Sequence, residues 1–131
     1  MRRHSRARDE RGAVAIEFLL IISMLIVVFL LMLQYAVKAH AHRIATAAAE
    51  EALAATAAYD GTPTDGRQAA NQVLTDVAPG LEDTKVAVTR TATTVTVTLT
   101  GRVTQLIPFL PVEVIVHVER PVERFVDGAA S

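Results

Sequence analysis

The chain has 131 residues, of which 51% are hydrophobic, together with a formal net charge of -1 and no cysteine. The absence of cysteine excludes disulfide bonds and cysteine-ligated metals. A chain of this length would normally form one small domain. However, the hydrophobic residues are concentrated near the N-terminus, so the average composition describes neither part of the chain.

The N-terminal segment, residues 1–12, is basic. It contains five arginines against Asp9 and Glu10, whereas the rest of the chain has eight basic and twelve acidic residues. Basic residues beside a membrane segment stay in the cytoplasm, so this leader predicts an N-terminus inside the cell and a C-terminus outside. Nucleic-acid binding is a poor alternative, because the segment is short and has no aromatic residue. The arginines that predict this topology are Arg2, Arg3, Arg6, Arg8 and Arg11.

Residues 18–37 form an uncharged, apolar segment that has Phe18 at its start and Val37 at its end. Twenty helical residues rise about 30 Å, which matches the hydrocarbon thickness of a bilayer. A buried core helix would show a polar face, and this segment shows none. We therefore predict a single membrane span in contact with lipid. Ala39-His40-Ala41 would also suit signal-peptide cleavage, but the apolar segment is longer than the core of such a peptide.

The helix is expected to continue beyond the membrane. Residues 38–58 contain no glycine or proline and are rich in alanine, the best helix former, whereas Asp60-Gly61 and Pro63 supply a stop. The predicted helix covers residues 13–59, about 70 Å. It is either a plain stalk or a helix that packs closely against copies or relatives through the small side chains of Ala47, Ala48, Ala49, Ala52, Ala54 and Ala55.

Residues 60–131 are predicted to form an extracytoplasmic α+β domain. A short second helix covers residues 67–77, with Asp65 as a possible N-cap. An apolar stripe at helical spacing marks its buried face. The residues of this stripe are Ala69, Ala70, Val73, Leu74 and Val77.

Three later segments, residues 85–90, 93–103 and 112–120, have the alternating pattern of strands. We predict a three-stranded antiparallel sheet packed on the second helix and on the long helix. The fold class is therefore α+β, with a long N-terminal transmembrane and stalk helix, a short second helix and a small sheet. Because 72 residues alone bury little surface, this domain is expected to depend on the long helix. The predicted inward residues are Val95, Val97, Leu99, Val103, Val112, Val114, Val116 and Val118.

Catalytic residues are sparse, and we predict neither an enzyme nor a cofactor. His40 and His42 are two apart on a helix and point to nearly opposite sides, so they do not suit one metal ion. His117 lies on the polar face of a strand with Glu113 and Glu119, which is typical of a solvated surface. The three serines lie in a tail, in the membrane segment and at the C-terminus, so none is a credible nucleophile.

The stretch "RGAVAIEF", Arg11 to Phe18, combines a basic leader, Gly12, four apolar residues and Glu17 before the long apolar helix. It resembles a class III signal, the substrate of a prepilin peptidase. With the layout of the rest of the chain, it resembles the TadE-like family of tight-adherence (Flp-type) pilus proteins. The resemblance implies cleavage after Gly12, a mature chain starting at Ala13, and a pilin-like fold.

The resemblance also implies a function in adhesion and secretion machinery related to type IV pili, as a minor pilin or pseudopilin. The implied partners are the prepilin peptidase, other Tad pilins and pseudopilins, and the inner-membrane assembly platform with its ATPase. One difference is notable: family members often have a proline early in the apolar helix, whereas this chain has Ile22-Ser23-Met24. A proline kink is therefore not expected.

Glu17 and Phe18 are interpreted as residues that set the register of assembly. Cleavage would create a charged amine at Ala13, and the carboxylate of Glu17 could pair with that amine in a neighbouring subunit. The alternative is that Glu17 lies at the lipid headgroups and caps its own helix. The alternative function is an unprocessed single-pass anchor that presents a β-rich adaptor domain outside the cell.

Overall fold

A computed structural model describes residues 4–77 and 80–124, and the side chains within them from Asp9 onward. Two helices, α1 (His4–Ala57) and α2 (Pro63–Val77), precede three strands, β1 (Leu81–Arg90), β2 (Thr94–Val103) and β3 (Glu113–Pro121). The strands form one antiparallel sheet in the order β1-β2-β3. This architecture confirms the predicted α+β fold.

Helix α1 is longer at its start than predicted. It begins at His4 rather than Ala13 and ends at Ala57, two residues before the predicted end. Residues 4–12 of the leader are helical because arginine, alanine and glutamate are good helix formers, and one glycine does not outweigh them. Beyond Ala57 the chain turns, and the N–H of Gly61 donates to the carbonyl of Ala58 at 2.9 Å.

The two halves of α1 have different surroundings. Side chains 9–33 are exposed, apart from the half-buried Leu30. From Gln34 onward, one face of the helix is buried at intervals of three and four residues, the spacing of a single helical face. The buried residues of this face are Gln34, Ala41, Ile44, Ala45, Ala48, Ala49, Ala52, Leu53, Thr56 and Ala57.

The alanines of α1 therefore serve mainly to pack the chain against itself. Ala48, Ala49 and Ala52 are fully buried against the domain that follows, whereas Ala47 and Ala54 are exposed. The expectation that all six alanines face other subunits is wrong for the buried three. Small side chains are needed there because α2 and the sheet both approach this face of α1.

Helix α2 begins four residues earlier than predicted, and its N-cap is Thr62 rather than Asp65. The Asp65 carboxylate accepts from the Thr62 N–H at 2.9 Å and the Thr62 hydroxyl at 2.6 Å, while the Asp65 N–H donates to Thr62 Oγ1 at 3.3 Å. This reciprocal arrangement is a capping box with aspartate at its third helical position. The hydroxyl and backbone bonds from Thr62 lower the pKa of Asp65 below its ordinary value, so their stabilisation is lost as the pH falls through that lowered pKa.

The inward face of α2 agrees with the predicted stripe only in part. Ala70 and Leu74 are buried, Val73 is half-buried, and Val77 is exposed. Gly66, which the stripe did not include, is also buried. A Cβ at Gly66 would collide with Thr56 Oγ1 and lie 2.9 Å from the Ala52 carbonyl oxygen. The missing side chain therefore sets how closely α2 approaches α1.

The sheet follows the alternation of its sequence. Val95, Val97 and Leu99 on the central strand are fully buried, and Val114 and Val116 on β3 lie on the same face. Val97 pairs with Val88 on one side and Val118 on the other. Strand β1 is longer than the predicted residues 85–90, because it continues back to Leu81 through an irregularity between Glu82 and Lys85.

The C-terminal end of α1 is capped by an arginine from the sheet. The guanidinium of Arg90 donates to the carbonyl oxygens of Thr56 at 2.6 Å, Ala58 at 3.1 Å and Gly61. The N–H of Glu123 donates to the Ala57 carbonyl at 3.2 Å. These donors satisfy carbonyls that have no partner within a helix, and the positive charge is favourable at this end of the helix dipole.

Replacing Gly66 with alanine is expected to destabilise the domain by about 1–3 kcal/mol, because the added methyl group overpacks the α1–α2 contact. The measurement is urea unfolding of the full chain in detergent, followed by hydrogen exchange of α2 and sheet amides. Gly12→Ala is the matched control, since a Cβ at that helical glycine meets no described atom within 4 Å outside its own helix backbone and its two chain neighbours. Equal stability of the two variants would contradict the close approach.

Replacing Arg90 with alanine is expected to lower the free energy of unfolding by about 2 kcal/mol, since hydrogen bonds to charged groups contribute about 1.5–3 kcal/mol. Arg90→Lys should restore only part of this, because one ammonium cannot span several carbonyls. Exchange of the last-turn amides of α1 measures the effect. Arg120→Ala, an exposed arginine on β3, is the control and should behave as the unchanged chain.

Candidate processing and assembly site

The motif residues lie on one uninterrupted stretch of α1. Gly12, Ala13, Glu17 and Phe18 are all exposed, and Phe18 is 64% exposed. None of them contacts the domain formed by α2 and the sheet, whose buried face on α1 starts at Gln34. The motif is therefore available to other molecules along the whole circumference of the helix.

Gly12 is helical in this structure, so the extended backbone that its lack of a Cβ permits is not adopted here. A glycine inside a helix costs about 0.5–1 kcal/mol relative to alanine. Apart from the backbone of its own helix and its two chain neighbours, no atom of the described residues lies within 4 Å of the place where its Cβ would be. The helix is thus intrinsically weaker at Gly12 than at the residues beside it, and no packed side chain among the described residues has to move when it opens.

Glu17 has no partner among the described side chains of residues 9–77 and 80–124. It is four residues after Ala13, so the two residues are neighbours on successive turns. Because α1 starts at His4, Glu17 lies several turns inside the helix of the full chain rather than in its first turn. Glu17 can therefore act near a helix start, as its capping role requires, only in a chain that begins at Ala13.

The membrane-length segment is distinguishable from a core helix. Among the described residues, one helix is long and apolar enough to cross a membrane, and none of its most apolar window is buried. Phe18, Leu25 and Met32 are each more than half exposed. Near the end of the segment, however, Gln34 is 4% exposed and accepts a hydrogen bond from the Leu106 N–H at 2.8 Å. Residues 34–37 therefore belong both to the predicted span and to the base of the domain.

Of the five arginines that predict the topology, the structure describes the side chain of Arg11. Arg2 and Arg3 are outside the described residues, and Arg6 and Arg8 are described only as helical backbone. Arg11 is exposed, as are Asp9 and Glu10 beside it. The direction in which the chain crosses the membrane remains a prediction from the charge pattern.

The three histidines whose side chains are described occupy surface positions. His40 and His42 are exposed on α1, and His117 Nδ1 lies 3.0 Å from the Thr98 hydroxyl on the outer face of the sheet. Within residues 4–77 and 80–124, no group of three or more histidine and acidic side chains is arranged to hold a metal ion.

Two structural residues escaped the sequence analysis. Arg90 reaches the end of α1 and the turn after it from 29 to 34 residues away, and Gln34 bonds to Leu106, which is 72 residues away. A lone glutamine in an apolar segment was a usable signal, since a polar side chain there needs a partner. No local pattern distinguishes Arg90 from the other arginines.

The family model described as TadE-like protein matches residues 12–54. The match starts at Gly12, includes Glu17, Phe18 and the apolar segment, and ends within the buried half of α1, so α2 and the sheet lie outside it. It is consistent with a TadE-like protein, as the motif predicts. No curated protein and no solved structure matches the chain significantly.

Proposed function

We propose that this protein is a minor pilin or pseudopilin of a Tad (Flp-type) pilus system and that prepilin peptidase cleaves it after Gly12. The observation that carries the proposal is the placement of Gly12, Glu17 and Phe18 at the start of an exposed apolar helix, inside the segment matched by the TadE-like family model. That family suggests a part in Tad pilus machinery, and a structural role rather than an enzymatic one.

The protein is anchored in the cytoplasmic membrane by residues 18–37, with the leader inside and residues 60–131 outside. Support comes from the exposed apolar half of α1 and from the arginines that precede it. In this orientation Gly12 lies at the cytoplasmic face, six residues before Phe18. A peptidase of the membrane can then cut the leader without moving it across the bilayer.

Cleavage changes the electrostatic setting of Glu17. In the full chain the positive end of the α1 dipole is at His4, and dipole effects are largely confined to the first turn. A chain that starts at Ala13 has its N-terminus one turn from Glu17, together with a new amine whose pKa is about 7.7–8. The carboxylate thereby gains a nearby positive charge that the precursor does not offer.

The new amine is the natural partner for Glu17 of a neighbouring subunit. An unpaired carboxylate is costly at membrane depth, and an ion pair between chains lowers that cost. Pairing within one chain is also geometrically open, because residues four apart are on the same helix face. Only pairing between chains sets the stagger of adjacent helices, which is the register function proposed for Glu17 with Phe18.

The partners follow from this function. The chain meets the prepilin peptidase first, then other Tad pilins or pseudopilins, and the assembly platform with its ATPase. The first half of α1, residues 9–33, is open to such partners on nearly all sides, whereas one face of the second half is covered by the chain's own domain.

An unprocessed single-pass adaptor is the second candidate function. It is favoured by one observation: α1 runs through Gly12 without a break, so the uncleaved chain has a regular structure there. The N-terminus of the protein in the cell separates the two functions, because only the pilin requires a chain beginning at Ala13.

Co-expression with a cognate prepilin peptidase is expected to yield a product whose intact mass corresponds to residues 13–131. Gly12→Val should abolish the product, because a β-branched side chain obstructs close approach of the protease to the backbone. Ala15→Val, three residues beyond the cut on the same exposed helix, is the matched control and should be cleaved. A leader retained while the peptidase cuts its other substrates would refute processing.

Glu17→Gln is expected to be cleaved and inserted normally, yet to lose crosslinks to partner pilins and to fail in piliation. Removing one partner of a buried ion pair costs roughly 3–5 kcal/mol, whereas loss of a helix-dipole interaction costs only about 0.3–1 kcal/mol. Intact mass and surface pili are measured in the same strain. Glu51→Gln, an exposed acid on the same helix, controls for charge alone and should be silent. Normal piliation by Glu17→Gln would leave Glu17 as an ordinary helix acid.

A further inference from the structure

The β2–β3 loop, residues 104–112, exposes an apolar surface that the domain itself does not cover. Phe109 is 98% exposed, and Leu110 and Leu106 are 43% and 39% exposed. The loop contains no charged residue. A single exposed apolar residue needs no explanation, but an uncharged apolar cluster at one end of a small domain marks an interaction surface.

The backbone of the loop directs Phe109 outward. Phe109 has a φ of 70°, a left-handed conformation that is uncommon for a bulky residue. The base of the loop is closed by the Val103 N–H, which donates to the Val112 carbonyl at 2.9 Å. The strained conformation gains no packing for the ring within the described domain, so its benefit must lie in what the ring meets outside it.

The loop is fixed to α1 at the level of the membrane segment. The Leu106 N–H donates to Gln34 Oε1 at 2.8 Å. Leu110 and Pro111 border a hollow together with Leu31 and Tyr35 of α1. All these α1 residues lie within residues 18–37, so the loop lies beside the last part of the span rather than above it.

The depth follows from helix geometry. Gln34 precedes Val37 by three residues, which places it about 4.5 Å inside the end of the span. Peripheral apolar elements typically reach about 5–10 Å into the boundary between headgroups and acyl chains. Tyr35, 74% exposed, and Lys38 flank the same level, and both residue types are typical of this boundary.

We propose that the β2–β3 loop is a second membrane contact, with Phe109, Leu106 and Leu110 inserted among the lipids of the outer leaflet. Lipid suits the surface because the loop is uncharged and continuous with the exposed side chains of Leu31 and Tyr35, which the span already presents to lipid. The helix and the loop then hold the domain at two points, which fixes its tilt on the membrane. The contact requires the membrane span but not cleavage after Gly12.

The test uses Phe109→Trp in the full chain, which has no tryptophan of its own. The protein is placed in vesicles of phosphatidylethanolamine and phosphatidylglycerol, with and without lipids brominated near the carbonyl end of the acyl chains. We expect blue-shifted emission, at least twofold quenching by the brominated lipid and protection from aqueous iodide. Because Phe109 is 98% exposed, the substitution disturbs no core.

Tyr59→Trp is the matched control, an exposed aromatic position beyond the other end of the buried face of α1. Gln34 and Ala57 are about 35 Å apart along the helix, so the control should be quenched by iodide and not by brominated lipid. Phe109→Trp emission that responds like the control would overturn the proposal. A blue shift that requires high protein density and shows no quenching by brominated lipid would also overturn it, in favour of contact with a second copy.

The uncleaved Gly12→Val chain separates this inference from the proposed function. Lipid quenching at position 109 in that background supports the membrane contact whether or not the protein is a pilin. Conversely, correct processing without lipid quenching would leave the pilin function standing and remove the loop contact.

Discussion

The burial of small side chains along the second half of α1 is the interaction on which the rest of the structure depends. The sheet has three strands and α2 has 15 residues, too little to enclose a core between them. Both elements pack against a helix face made of four fully buried alanines, Ala45, Ala48, Ala49 and Ala52. Alanine suits this face because its small side chain leaves the surface flat and because it is a good helix former. One helix thus has an exposed apolar surface at one end and an apolar surface packed against protein at the other.

This division imposes a compromise near the C-terminal end of the predicted membrane span. From Asp9 to Leu33 nearly all side chains of α1 are exposed, and from Gln34 onward one face of the helix packs against the domain. Gln34 satisfies its acceptor through the Leu106 N–H, whereas its buried Nε2 has no hydrogen-bond partner among the described residues. A half-satisfied amide is costly, so its presence at this junction indicates that fixing the loop outweighs the cost.

Local periodicity was sufficient to predict the elements of the fold. The alternation of Val95, Val97 and Leu99 with threonine gave the central strand, and the unbroken alanine-rich sequence gave the stalk. The ends of the helices and strands were predicted less well. A helix cap can depend on a pair of residues, such as Thr62 with Asp65, and a scan of single residues chose Asp65 as the N-cap instead of Thr62.

Of the candidate site, the sequence predicted the motif and the exposed apolar helix that carries it. It did not predict that Gly12 is helical. Glycine by itself disfavours a helix, but the good helix formers on both sides of it outweigh that preference. Nor did it predict the contact between Gln34 and Leu106, because nothing local relates residues 72 positions apart.

The cap that Arg90 places on α1 has a consequence in time. A ribosome makes α1 first, but the guanidinium that binds the Thr56 carbonyl in its last turn lies 34 residues further along the chain. At about 5–20 residues per second, that delay is roughly 2–7 s. During this interval the carbonyls of the final turn lack the hydrogen bonds from Arg90, and the alanine face of the helix has no strand packed against it. The stalk is therefore the first element to be synthesised and among the last to be completed.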